Sequence, residues 1–215
     1  MTESFEDVLD KAKLVLDFSS KDHVHVAMAI ARNKYNPEIG HQANDYKKGD
    51  CVFREVLNEN NWDNKLRKLY TLATNYSNDP IKPEDFVIYV TVNPRSLSKA
   101  KFLLEKEFIS WREHGTEGRK LKRVDAYWVS CLQKPEARAT RNWFLFDVDM
   151  KDYNTAKNLK FDIIDSADRD DLMMVDVETR NGYHVMSTPF NLQDLVLPKY
   201  IECKKDAMVM VFRND

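Results

Sequence analysis

The chain has 215 residues, 43% of them apolar and 32% charged, with a formal net charge of −2. This is the balance of a globular chain long enough for one large domain, or for two small modules sharing a core. The near-neutral charge gives no bulk attraction to nucleic acid, so any polyanion site must be a local patch. Five glycines and seven prolines argue against a disordered or repetitive chain.

From the N-terminus, MTESFEDVLDKAK is acidic and amphipathic, unlike a signal peptide. It predicts a helix over 4–17, capped by Ser4. HVHVAMAIA (23–31) alternates as a strand does, but its alanines would also suit a helix. The segment 35–50 reads as a loop, CVFREVL as a short strand, and 62–76 as a helix presenting Leu66, Leu69, Tyr70 and Leu72. FVIYVTV (86–92), rich in β-branched and aromatic residues, is a buried strand. NPRS then turns into a helix over 97–114. A basic loop (115–123), a strand AYWVSCL and a loop KPEARATR lead to the strand at 142–150. A helix over 153–167 and the strand LMMVDVET follow. Asn181-Gly182 predicts a hairpin into GYHVMSTPF, because both residues tolerate positive φ. A short helix near 191–196 and a last strand, AMVMVF, complete the chain. The irregular alternation predicts an α+β fold with mixed or antiparallel sheets and flanking helices, organised as a single domain with approximate modules 1–124 and 125–215. Cys51, Cys131 and Cys203 are scattered, so reduced thiols in a reducing, cytoplasmic setting are expected. No apolar run approaches 18 residues, so no membrane span is expected.

The chemistry concentrates in WFLFDVDM. Strand alternation puts Asp147 and Asp149 on one face and Phe144, Phe146 and Val148 on the other. Two adjacent carboxylates repel unless a cation joins them. Hard ions such as Mg²⁺ or Mn²⁺ take carboxylate oxygens, and a pair of such ions is the usual phosphoryl-transfer arrangement. The plainer alternative is a pair of solvated aspartates at a strand end. In NGYHVMSTPF, His184 follows the hairpin glycine and is placed to donate to a phosphate oxygen, with Arg180 and Asn181 beside it. A hydrogen-bonded strand histidine is the alternative. Asp206, ahead of the last strand, is a candidate third ligand. Asp176 and Glu178 are its rivals.

The order of these motifs resembles the archaeo-eukaryotic primase superfamily, which includes primase small subunits and plasmid and phage primase-polymerases. Asp147-Val148-Asp149 matches the first motif, Gly182-Tyr183-His184 the second and Asp206 the third, over roughly residues 86–212. The resemblance implies an N-terminal α/β module and a C-terminal module like an RNA-recognition sheet. It implies Mg²⁺ or Mn²⁺ on Asp147, Asp149 and Asp206, and nucleoside triphosphate on His184, with Arg180, Gly182 and Arg141 assisting. The implied reaction is extension of a DNA or RNA 3′ end on a template, in replication of a phage or other mobile element and with replication proteins as further partners. Gly182 stands where serine is frequent in the family, and no zinc-binding cysteine cluster is present, so nucleotidyl transfer is more strongly implied than priming. Arg95, at a helix start, and the cluster Arg119, Lys120, Lys122 and Arg123, with Tyr127 and Trp128 near for stacking, are candidate nucleic-acid contacts. A catalytically inactive binding member and a metal-dependent phosphoesterase are the competing readings.

Overall fold

The computed structural model describes residues 3–31, 36, 51–77, 81–167, 169 and 171–214. The loop expected over 35–50 lies outside these residues except for Asn36. The strands are β1 (His23–Ala31), β2 (Cys51–Leu57), β3 (Phe86–Thr91), β4 (Arg95–Ser96), β5 (Phe144–Val148), β6 (Met174–Glu178), β7 (Tyr183–Ser187), β8 (Ile201–Lys204) and β9 (Met208–Arg213). The helices are α1 (Phe5–Lys13), α2 (Trp62–Asn75), α3 (Leu97–Glu113), α4 (Glu117–Leu121), α5 (Val124–Gln133) and α6 (Tyr153–Ala167). The fold is α+β, and every strand pairing is antiparallel.

The first sheet runs β2-β1-β3-β9, with β4 added to β1. Alternation along β1 decides its two faces. Ala27, Ala29 and Ala31 enter the main core with α1 and α2, while Val24, Val26 and Met28 meet α3 and α5. The small alanines let α1 and α2 approach the sheet closely. Strand geometry therefore wins over alanine's helix propensity, because both faces of β1 are covered.

The second sheet runs β6-β7-β5-β8. One face carries Phe144, Phe146, Val148, Val185 and Ile201 against Ala156, Leu159 and Ile163 of α6. The other contributes Leu145, Val177 and Met186 to the main core. The two sheets thus share one hydrophobic interior. A module boundary at 124/125 does not fit this arrangement: α5 packs on the first sheet through Cys131 and Leu132, and β9 returns to pair with β3.

Three other expectations are corrected. AYWVSCL lies in a helix, α5, not a strand, because Trp128, Cys131 and Leu132 fall at helical spacing toward α3 and β1. Residues 117–121 of the expected basic loop form α4. The segment 191–196 is irregular, and β8 follows it.

Candidate functional site

Asp147 shares the face of Leu145, two residues back along β5. Register places it opposite His184 of β7 on one side and Glu202 of β8 on the other. His184 in turn faces Val177 of β6. One row of side chains, Val177–His184–Asp147–Glu202, therefore crosses the sheet. Neighbours in such a row stand about 4.5–5.5 Å apart at Cα. Asp149 lies just past the end of β5, held by its N–H to the Tyr200 carbonyl at 3.0 Å. Its exposed carboxylate makes no hydrogen bond or ion pair among the described residues.

His184 is 7% exposed. The Met210 N–H of β9 donates to its Nδ1 at 3.2 Å, so the neutral ring carries its proton on Nε2. That nitrogen faces Asp147 Oδ1 at 3.6 Å, too far for a hydrogen bond. β9 is an edge strand of the first sheet, and the imidazole takes one of its outward N–H groups. Burial pushes the ring's pKa down to about 4, against the opposing pull of Asp147. The result is a fixed neutral donor at the mouth of the carboxylate row.

Lys204 of β8 completes the site. Its Nζ donates to Asp147 Oδ2 at 2.6 Å and lies 3.4 Å from Glu202 Oε2. Burial alone would lower the ammonium's pKa, but the hydrogen bond and charge of Asp147, backed by Glu202, raise it above the ordinary lysine value.

Gly182 is needed here for close approach rather than for positive φ. Among the described glycines positive φ occurs at Gly115 (62°). A Cβ at position 182 would lie 1.8 Å from the Val148 carbonyl oxygen and 2.8 Å from the Met150 N. The histidine hairpin thus rests directly on the backbone that presents Asp149, and the serine frequent in the primase superfamily has no room here. Gly182→Ala is expected to destabilise by about 1–3 kcal/mol, the range for forced overpacking. Chemical denaturation measures it, and wild-type stability in Gly182→Ala would refute the packing argument.

The structure does not bring Asp206 to this row. Both its oxygens accept from Arg95, Nη1 and Nη2 each at 2.8 Å. The β5–β8 ladder also runs away from Asp147: Glu202 stands opposite it, Lys204 opposite Leu145, and Asp206 lies further on. Arg95 is 3% exposed, so it is the partner of Asp206 rather than a contact offered to nucleic acid. Asp176 faces α6, where Lys160 binds it. Glu178 lies on that same face, and Arg213 pairs with it. Neither reaches the Asp147 face.

Arg180 reaches from the hairpin to the Glu84 carbonyl at 3.3 Å. The Arg141 guanidinium lies 5.8 Å from the Phe144 ring, whose side chain is on the face opposite Asp147. Arg119, Lys122 and Arg123 are exposed around α4, in the α3–α5 layer, while Lys120 bonds the Tyr127 hydroxyl. Tyr127 packs on Trp111 at 4.6 Å and Trp128 joins the α3–α5 core, so neither aromatic stands clear as a stacking platform.

Comparison with protein-family models, curated proteins and solved structures found no match.

Among the described residues no group of three or more His, Cys, Asp or Glu side chains is set to hold a metal. In kind, however, the carboxylates of Asp147 and Asp149, with Glu202 opposite, fit a hard divalent ion. A positive group, Lys204 Nζ, already sits between two of them. Sequence reasoning missed Glu202 and Lys204. The signal was the alternation in IECK, where Ile201 and Cys203 face α6 and the two charged residues share the other face.

Proposed function

We propose that the chain is a metal-dependent nucleotidyltransferase that extends a nucleic-acid 3′ end. The observation that carries this reading is the row His184–Asp147–Glu202 on adjacent strands, with Asp149 at its edge. The order β8-β5-β7-β6, with α6 connecting β5 to β6 along the chain, supports the likeness to an RNA-recognition sheet. Asp147, Asp149 and Glu202 would hold Mg²⁺ or Mn²⁺, with Glu202 in the place first expected of Asp206. Such an ion supplies activation of the attacking hydroxyl and neutralisation of the leaving group. The chain's own part is orientation: His184 Nε2–H, fixed by Met210, donates to a phosphate oxygen, and Lys204 adds a positive charge beside it.

The test is incubation with Mn²⁺, a primed template and each nucleotide set, followed by product sizing. Wild type is expected to extend the primer, and Asp147→Asn to lose at least a hundredfold of that activity while keeping its fold by circular dichroism. Equal extension by both proteins would remove Asp147 from the chemistry. A second reading, an inactive member that binds nucleic acid, is favoured by the ammonium seated between Asp147 and Glu202. It expects no extension by wild type and retained duplex binding.

No helix among the described residues is long and apolar enough to cross a membrane.

A further inference from the structure

Asp147 and Glu202 stand directly opposite on neighbouring strands, an arrangement in which like charges destabilise a sheet. The chain resolves this internally. Lys204, on the same strand and face as Glu202, folds its ammonium to 2.6 Å from Asp147 and 3.4 Å from Glu202. The Lys204–Glu202 pair is open to solvent, with Glu202 73% exposed, and exposed pairs contribute little to stability. The closer Lys204–Asp147 contact, partly buried, is the one that stabilises the fold.

We propose that Lys204 is a resident counter-cation: it holds Asp147 and Glu202 together while no divalent ion is bound, and it must leave for such an ion to enter. The inference rests on the divalent-ion reading above. An ion that bridges Asp147 and Glu202 takes the position between the two carboxylates that Lys204 Nζ occupies, so its entry is an exchange. The affinity of the site is set by the difference between the two cations. The freed ammonium stays on β8 beside the site, where a phosphate oxygen is its natural next partner.

The experiment is Mn²⁺ titration of the whole chain, followed by the loss of the free-ion paramagnetic resonance signal, for wild type, Lys204→Met, Lys204→Arg and Asp147→Asn. Lys204→Met keeps the aliphatic stem and removes the charge. It is expected to bind Mn²⁺ at least tenfold more tightly than wild type. Without the ion its melting temperature should fall below wild type, and saturating Mn²⁺ should raise it by more than it raises wild type. Lys204→Arg keeps the competing charge and should bind no more tightly than wild type. If Lys204→Met is unfolded without metal, Lys204→Gln takes its place with the same expectation. Equal or weaker binding by the neutral variant, with binding still lost in Asp147→Asn, would overturn the exchange and leave the metal reading standing. Absence of binding in every protein, or binding unaffected by Asp147→Asn, would overturn both.

Discussion

Asp206→Ala is expected to destabilise the protein by about 3–5 kcal/mol, the cost of leaving one member of a buried pair without its partner. Arg95 is 3% exposed, and Asp206 supplies the anion for both of its terminal nitrogens. Its Nε is buried without a hydrogen bond among the described residues, so nothing else is placed to carry the charge. The pair also has an architectural role. Asp206 lies in the turn between β8 and β9, where the chain passes from the second sheet to the first, and Arg95 sits on β4, hydrogen-bonded to β1. The bidentate contact therefore fixes how the strand bearing Glu202 and Lys204 departs from the site. Replacing both residues with apolar ones of similar size, as in Arg95→Met with Asp206→Leu, should recover much of the loss, because the uncompensated charge disappears with its partner. Urea denaturation of the single and double variants measures this. Primer extension by Asp206→Asn separates structure from ligation: a loss that follows the fall in stability is structural. Lost activity at unchanged stability would return Asp206 to the metal site.

The parts of this fold that were legible in the sequence are those where burial and periodicity agree. β3 and β5 are apolar runs whose two faces are both covered, and their composition alone marks them as strands, while β7 is marked by the Asn181-Gly182 turn before it. The pairing of Asp147 with His184 was not legible, because the Asn181-Gly182 hairpin sets β7 against β6, and only a long-range pairing brings β7 beside β5. AYWVSCL was misread because its aromatic and β-branched content favours a strand, while the spacing of Trp128, Cys131 and Leu132 that makes it a helix is shared with many strands of that length. Asp206 was misassigned for a different reason. Its flanking hydrophobic residues are real, but ladder register decides which charged residue stands opposite Asp147, and register depends on pairings between segments some sixty residues apart. Glu202 and Lys204 were passed over because β8 has only four residues and follows an irregular stretch.

Acidification is expected to weaken the fold well before the carboxylates titrate, and His25 is the main cause. His25 is fully buried in β1. Its Nδ1 lies 2.8 Å from the Thr91 carbonyl, and the Asp17 N–H donates to its Nε2 at 3.0 Å. One nitrogen must therefore donate and the other accept, which only the neutral ring can do. A second proton would set an N–H of the ring against the Asp17 N–H. Burial accordingly holds the His25 pKa down to about 4. His184 repeats the pattern, with Nδ1 accepting from Met210, and shifts in the same direction. Below the unfolded value of about 6.5, the unfolded chain takes up protons that the native state refuses, so stability falls as pH drops from about 6.5 toward 4 and levels off below that for these groups. For His25 the loss at pH 5 is on the order of 2 kcal/mol, and His184 adds to it. Urea midpoints between pH 7.5 and 4.5 provide the measurement, with the ring carbon shifts of both histidines read by NMR across the same range. The expected result is a steady fall in stability below pH 6.5, with both rings neutral down to about pH 5 in the native state. A native imidazolium at His25 by pH 6, or a stability that stays flat from pH 7 to 5, would mean that the Asp17 and Thr91 contacts do not enforce the neutral ring.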